Sequence, residues 1–474
     1  MTQSKKANGF FVSLAFLALG YLLFVTKQIA PFSDFALLEW QIKLAGQGTF
    51  HLNYEYLLLD PNFKFFPLPD IFFHVHKGIA YSTFPNVYPI LFSFVYMGLG
   101  TIGVKLAQFC LFFLSIFIFH SIKKDEVSTI LLLFGSTISI YIFLIHETIL
   151  FLFLEVVVLY LYQRKWTAVS GVLSICLVWM RPEMIFAIGF LPFCFSKEQN
   201  WKRFFLAFLI TGIVFSITNR ITLGSFLPLR MVKNSEFHFR PEMSFYLFKI
   251  WIEQVPLFIL FIFIFLRSVI KKELYYPNLI LLLITMVMIL ISPNTGGHNT
   301  PRYLFGLIPL YILSIRNKEN SLTQVSKLWL LTILFLSFYS ITILFQQTKE
   351  LKKISKFQTN TLEEISKLDD SLLVFNNSDF VFVTLPLLEE KKDLLLLRAN
   401  FDHKKFSQIL NFKNTKSFTF LELPPSPVPL DQWITTTNKT TLGSFRKVNQ
   451  YPLPNALLPI QVTKYLREFP ETSK

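Results

Sequence analysis

The sequence predicts an α-helical polytopic membrane protein with about eleven transmembrane helices, a large first external loop and a small C-terminal soluble mixed α/β domain. Three observations carry this expectation. Hydrophobic residues make up 53% of the 474, with 56 phenylalanines, and charged residues only 16%, where soluble domains carry roughly 25%. Apolar stretches of about 18 residues or more recur before residue 346, each long enough to cross about 30 Å of hydrocarbon as a helix. Beyond that point the chain turns to lysine-rich polar stretches broken by short apolar runs. Lipid offers the backbone no hydrogen-bond partner, so the spanning segments are helices and not strands.

Lys5 and Lys6 precede an apolar run from Gly9 to Val25. Its length exceeds a signal-peptide core and no small-x-small cleavage site follows, so it reads as an uncleaved anchor with cytoplasmic lysines. The apolar segments then thread as crossings at 9–28, 103–122, 127–145, 148–163, 166–180, 184–196, 204–222, 248–267, 277–292, 303–316 and 328–346, leaving the C-terminus outside. This threading collects Lys123 with Lys124, Arg164 with Lys165, Lys197 with Lys202 and Arg203, Arg267 with Lys271 and Lys272, and Arg316 with Lys318 on one side. The positive-inside bias makes that side cytoplasmic. The run from Val87 to Gly100 is taken as re-entrant or interfacial, because Pro89, Gly98 and Gly100 interrupt it and counting it as a crossing would invert the lysine-bearing loops. One segment departs from the bias: 224–247, external here, carries Arg230, Lys233 and Arg240, so either the bias is locally broken or these residues meet an anionic partner. The domain boundary falls at 346, with a membrane domain over 1–346 and an extracytoplasmic domain over 347–474. Runs such as Leu372–Phe375 and Phe380–Leu385, bounded by Asn, Asp and Pro, suit a small mixed fold, with Pro424–Pro429 as a linker or edge within it.

The formal net charge of +15 does not imply nucleic acid, because the basic residues punctuate apolar stretches instead of forming one face. Cys110, Cys176 and Cys194 all fall in apolar segments and supply neither a disulfide framework nor a CxxC metal site.

Under this topology the unusual polar residues gather on the external side. The first loop holds Asp34, Glu39, His51, Glu55, Asp60, Asp70, His74 and His76, and later external turns hold His146-Glu147, Arg181-Pro182-Glu183 and the 293–303 segment with His298 and Arg302. Each alone also reads as a helix-end anchor or an internal ion pair, since charges near the interface cost little. His74 and His76, two apart beside Asp70, fit metal ligation only loosely. Pro293–Gly297 lacks the Walker lysine spacing and reads as a turn.

The first loop carries a resemblance. Ser33-Asp34-Phe35, running through Trp40 and Ala45 to Gly46-Gln47-Gly48-Thr49-Phe50, resembles the first external loop of the GT-C superfamily, whose members transfer sugars from polyprenyl-phosphate donors. In that family an acidic residue just after the first helix is followed by an amphipathic helix ending near a glycine. Phe84-Pro85-Asn86-Val87-Tyr88-Pro89 with Leu91 resembles the family's proline-and-tyrosine element. His146-Glu147 resembles its polar pair at the outer end of the third crossing, and Arg302-Tyr303-Leu304 before Pro309 its arginine-tyrosine start to a late helix. The likeness covers about the first 320 residues and rests on the order and common sidedness of these elements. It implies that 1–346 is a catalytic domain of an integral membrane glycosyltransferase, using a polyprenyl-phosphate-linked sugar donor and a glycan, lipid or protein acceptor. The implied setting is the periplasmic or external face of a bacterial inner membrane. The family's usual second acidic position has no secure match, which leaves a divalent metal open; no metal ligand or other cofactor is assigned.

The chemistry agrees. A lipid phosphate leaves as a stable anion, so one carboxylate acting as base on the acceptor hydroxyl suffices for an inverting displacement. Asp34 is the candidate base, although Ser33 or Asp34 also reads as a helix N-cap. Arginine engages a phosphate through two donors, which makes Arg302 the first candidate for the donor phosphate, with Arg181 and His298 behind it. Glu147, His146 and Asp60 are candidates for acceptor or metal support. The alternative is a multi-pass transporter or lipid-linked saccharide flippase, which predicts inverted repeats and charges near helix centres. A polysaccharide ligase, with its major loop late in the chain, fits the long early loop less well.

Overall fold

The computed structural model describes residues 2–26, 29–195, 200–233, 241–272, 276–292, 301–315, 327–388, 390, 392–398, 401–423, 441–442, 444–456 and 459–468. The protein is mostly helical, an integral membrane protein with a small C-terminal sheet. Elements run in the order α1 (Thr2–Thr26), α2 (Asp34–Gly46), β1 (Phe73–His76), β2 (Ile79–Ser82), α3 (Val87–Lys123), α4 (Glu126–Phe134), α5 (Thr148–Gln163), α6 (Thr167–Met180), α7 (Ile185–Phe190), α8 (Trp201–Leu223), α9 (Leu229–Lys233) and α10 (Pro241–Gln254). They continue with α11 (Leu257–Ile270), α12 (Tyr276–Ile291), α13 (Ile308–Ile315), α14 (Lys327–Ser366), β3 (Leu372–Phe375), α15 (Ser378–Thr384), β4 (Asp393–Leu396), α16 (His403–Phe412), β5 (Ser417–Glu422), β6 (Thr441–Leu442), β7 (Phe445–Pro452) and β8 (Gln461–Arg467). The chain divides into two compact units, one of Met1–Gln28 with Pro85–Glu350, the other of Ile29–Phe84 with Leu351–Lys474.

Three described helices are long and apolar enough to cross a membrane: α3 and α8 of the first unit, and α14 from Leu331, which runs on into the second. A fourth crossing results if α10 and α11, bent by 96° at their junction, form one broken span, and six shorter apolar helices accompany them. Fewer full-length crossings therefore stand out among the described residues than the eleven expected, and the reason is visible in the backbone. The segment expected to cross at 127–145 comes apart: α4 ends at Gly135, a 3-10 turn covers Ile138–Phe143, and Leu144 is extended. Ser136 and Thr137 follow the glycine, and such hydroxyl side chains compete with the helix for its own backbone. The break is satisfied by another break. Thr137 N donates to Gln254 O at 2.9 Å and Leu257 N donates to Gly135 O at 3.1 Å, pairing the end of α4 with the bend between α10 and α11. Irregular backbone at membrane depth needs such partners within the protein.

Val87–Gly100 is helical and runs on into the expected 103–122 crossing as one 37-residue helix. Gly100 interrupts it with φ 61° and ψ −155°, a backbone region essentially restricted to glycine. Elsewhere α6 and α8 approach closely at Gly171, where a Cβ would stand 2.3 Å from Phe204 O and 3.1 Å from Phe208 N. Small residues permit this contact between membrane helices.

The second unit is built on a six-stranded sheet ordered β4-β3-β5-β8-β7-β6, with β3 parallel to both β4 and β5 and the remaining pairs antiparallel. The first loop belongs to it. Tyr56 and Phe65 enter the same buried cluster as Phe406, Phe418, Phe420 and Tyr465, and Leu396 N donates to Phe65 O at 3.0 Å. Arg398 donates to the carbonyls of Lys64, Phe66 and Leu68 at 2.7, 3.1 and 2.9 Å and to Asp70 Oδ1 at 2.9 Å. Lys413 bridges Glu55 on the loop and Asp393 on β4 at 2.5 and 2.6 Å. Burial lowers the Lys413 ammonium, but its hydrogen bonds to these two carboxylates outweigh it and raise the group overall. The β1–β2 hairpin turns through Lys77 and Gly78, both at positive φ, as a tight two-residue hairpin requires.

Candidate functional site

The polar cluster of the first unit is assembled around the place where α4 fails to reach α5. Gln108, buried on α3, faces the irregular segment and completes its hydrogen bonding. Its Nε2 lies 3.0, 3.3 and 2.7 Å from the carbonyl oxygens of Tyr141, Ile142 and Leu144. Its Oε1 accepts from Tyr88 Oη at 2.8 Å and faces His146 N at 3.5 Å. The amide thus does for this stretch what a helix does for itself, and it delivers His146, Glu147 and Thr148 to the start of α5.

Arg181 arrives from the end of α6, where the following Pro182 disfavours further helix. Its Nη2 donates to Thr148 Oγ1 at 2.7 Å and its Nη1 to the backbone carbonyl of Arg302. Arg302 Nη1 lies 3.1 Å from His146 Nε2. His146 Nδ1 in turn lies 2.8 Å from Thr148 Oγ1 and 3.2 Å from Thr148 N. Arg230, on α9, reaches Glu147 Oε1 at 3.0 Å and the carbonyl of Met180 at 3.1 Å. His146, Glu147, Thr148 and Arg181 are all buried to 98% or more.

Three guanidinium groups therefore converge here with the carboxyl group of Glu147, and Arg181 also interacts with the carboxyl groups of Glu183 and Glu155. Burial pushes the Glu147 carboxyl up, but His146, Arg230, Arg181 and Arg302 together outweigh it and hold it below the usual carboxylate range. Desolvation of such charges costs several kcal/mol per ion unless each is paired. Arginine forks meet phosphate oxygens through paired N–H donors.

His146, Glu147, Arg181 and Arg302, singled out in the sequence, are thus brought together in one cluster. Thr148 and Gln108 were not singled out, and Arg230 appeared there only as a departure from the charge bias; its anionic partner is Glu147. His298 and the Pro293–Gly297 turn lie outside the described residues. Asp34 belongs to the second unit, as the buried first residue of α2. Ser33 caps that helix at φ 51° without a side-chain bond, so the carboxylate of Asp34 is the acidic group in the first turn, where the helix dipole favours it. Asp60, also in the second unit, accepts from Tyr54 Oη at 2.7 Å and from the amides of Lys64 and Phe65 at 2.9 and 2.8 Å, which fixes the loop. Among the described residues no group of three or more His, Cys, Asp or Glu side chains is placed to hold a metal ion.

No protein-family model matches the chain, and no curated protein matches it in sequence. Its structure is similar to the crystal structure of ArnT from Cupriavidus metallidurans bound to undecaprenyl phosphate, with a TM-score of 0.55 and 10% identity, over 96% of this chain and 98% of that one. Over nearly its whole length, then, the chain has the fold of ArnT, a GT-C fold, as the first-loop resemblance implies.

Proposed function

We propose that the chain is an integral membrane glycosyltransferase that moves a sugar from a polyprenyl-phosphate donor to a glycan, lipid or protein acceptor at the extracytoplasmic face of a bacterial inner membrane. The observation that supports it most is the convergence of Arg181, Arg230 and Arg302 on one polar cluster, in a chain whose fold is that of a protein crystallised with undecaprenyl phosphate.

In this reading Asp34 takes the proton of the acceptor hydroxyl as its oxygen attacks the anomeric carbon. The bond from that carbon to the phosphate oxygen breaks on the opposite face, so the product is inverted and the phosphate leaves with the electron pair. Arg302 and Arg181 stabilise the departing anion through paired N–H donors, with His298 nearby in sequence as a further donor. Thr148 and His146 orient the two guanidinium groups, and Glu147 holds Arg230. The proposal requires Asp34 and this cluster to face the same side of the bilayer.

The test is sugar transfer by membranes containing the full chain, from a panel of polyprenyl monophosphate and diphosphate donors. Asp34→Asn should lower turnover by about 10²–10⁴ while leaving donor-lipid binding intact. A correctly inserted parent that transfers from no donor would sink the proposal and favour a multi-pass transporter or flippase.

A further inference from the structure

One face of α14 changes chemistry along its length. Near the start of its described side chains, the exposed residues on this face are Leu331 at 63%, Phe335 at 68%, Phe338 at 72% and Phe345 at 46%. Past Phe345 the exposed residues include Lys349, Lys352, Lys353 and Lys356. With 3.6 residues per turn, all eight side chains fall within about 60° of one line along the helix. The helix's other side is occupied: Leu344, Thr348, Leu351 and Ser355 are buried, and Ser355 Oγ accepts from Ala30 N at 2.8 Å.

The spacing along the axis suits a bilayer. At 1.5 Å per residue, Lys349, Lys352 and Lys353 lie about 6, 10 and 12 Å beyond Phe345, and Lys356 about 16 Å beyond it. The polar layer outside the hydrocarbon is roughly 5–8 Å deep on each side, and lysine stems reach back toward it while keeping their ammonium groups wet. An apolar, outward-facing surface that runs directly into four exposed ammonium groups matches one molecule in order: acyl chain, then phosphate.

We propose that the lysine face of α14 binds the phosphate headgroups of anionic bilayer phospholipid, whose acyl chains lie against Leu331, Phe335, Phe338 and Phe345. On the extracytoplasmic side proposed above, four lysines next to a crossing run against the positive-inside bias. A headgroup partner accounts for their placement. The lipid then holds α14 at a fixed depth where the helix leaves the membrane. This inference does not depend on the transfer reaction.

The full-length chain in detergent is titrated with phosphatidylglycerol and, separately, with phosphatidylcholine, and bound lipid is counted by native mass spectrometry. Phosphatidylglycerol should be retained in preference. Each Lys→Gln substitution at 349, 352, 353 or 356 should weaken it about fivefold, the effect of one lysine at an anionic surface. The fourfold Gln variant should hold the two lipids alike, and four Lys→Arg substitutions should restore the preference. Unchanged phosphatidylglycerol binding by the fourfold Gln variant would overturn the proposal. So would loss of polyprenyl-phosphate binding with phosphatidylglycerol unaffected, which would assign the face to the donor lipid.

Discussion

Replacing Glu147 with glutamine removes one carboxylate from the midst of three arginines without changing shape. Breaking a buried ion pair by neutralising one partner costs about 3–5 kcal/mol, because the remaining charge stays desolvated. The Arg230 side chain is 14% exposed, which lets water recover part of that, so the lower end applies: about 3 kcal/mol, or a Tm lowered by about 6 °C at roughly 2 °C per kcal/mol for a large domain. The pH dependence has a definite sign. The Glu147 carboxyl is held below its ordinary range in the folded protein, so its contribution is fully present above that range and is lost as pH falls through it toward the lower folded value. The difference between Glu147→Gln and the parent should therefore be constant from about pH 5 to 8 and narrow below about pH 4. The variant also frees a guanidinium group, so polyprenyl phosphate should raise its Tm more than it raises that of the parent. Thermal unfolding in detergent, with and without the lipid, measures all three. A variant as stable as the parent at pH 7, or a difference that widens on acidification, would refute the reasoning.

Three further outcomes follow from particular contacts. Gln108→Leu leaves the carbonyl oxygens of Tyr141, Ile142 and Leu144 without their donor and Tyr88 Oη without its acceptor, and at about 1–2 kcal/mol per membrane hydrogen bond it should destabilise the protein by about 3–5 kcal/mol in thermal unfolding and slow transfer through His146. Gly171→Leu drives a side chain into the backbone of α8 and should cost at least about 1–3 kcal/mol; a stable variant would mean that α6 and α8 do not pack through this glycine. Arg398→Ala releases four bonds to the 64–70 stretch, so limited proteolysis should cut there in the variant and not in the parent.

What was legible in the sequence is what local pattern encodes. Long apolar runs announce membrane helices, and the polar residues at their ends include His146, Glu147, Arg181 and Arg302. Gln108 was equally available, as a lone amide inside the apolar 103–122 run, and intramembrane polar residues are rarely idle. The break at Gly135-Ser136-Thr137 was hidden because hydropathy averages over it, and its partners, Gln254 and Leu257, are more than a hundred residues away. The same distance hides the association of the first loop with the C-terminal sheet. Arg398 meets carbonyls some 330 residues earlier in the chain, and no periodicity in either segment reports the other. The strand at Leu372–Phe375 was visible as a bounded apolar run, whereas its parallel pairing with β4 and β5 depends on crossovers that a local reading does not order.

The proposed reaction requires Asp34 and the arginine cluster to face one aqueous compartment. With Cys110, Cys176 and Cys194 replaced by serine, single cysteines introduced at the exposed positions Gln47→Cys, Met231→Cys and Lys165→Cys are reacted with a membrane-impermeant thiol reagent on intact cells and after permeabilisation. The account predicts that positions 47 and 231 label in intact cells and position 165 only once the membrane is opened. Labelling of 47 and 231 from opposite sides would contradict it, since one catalytic centre cannot draw on both.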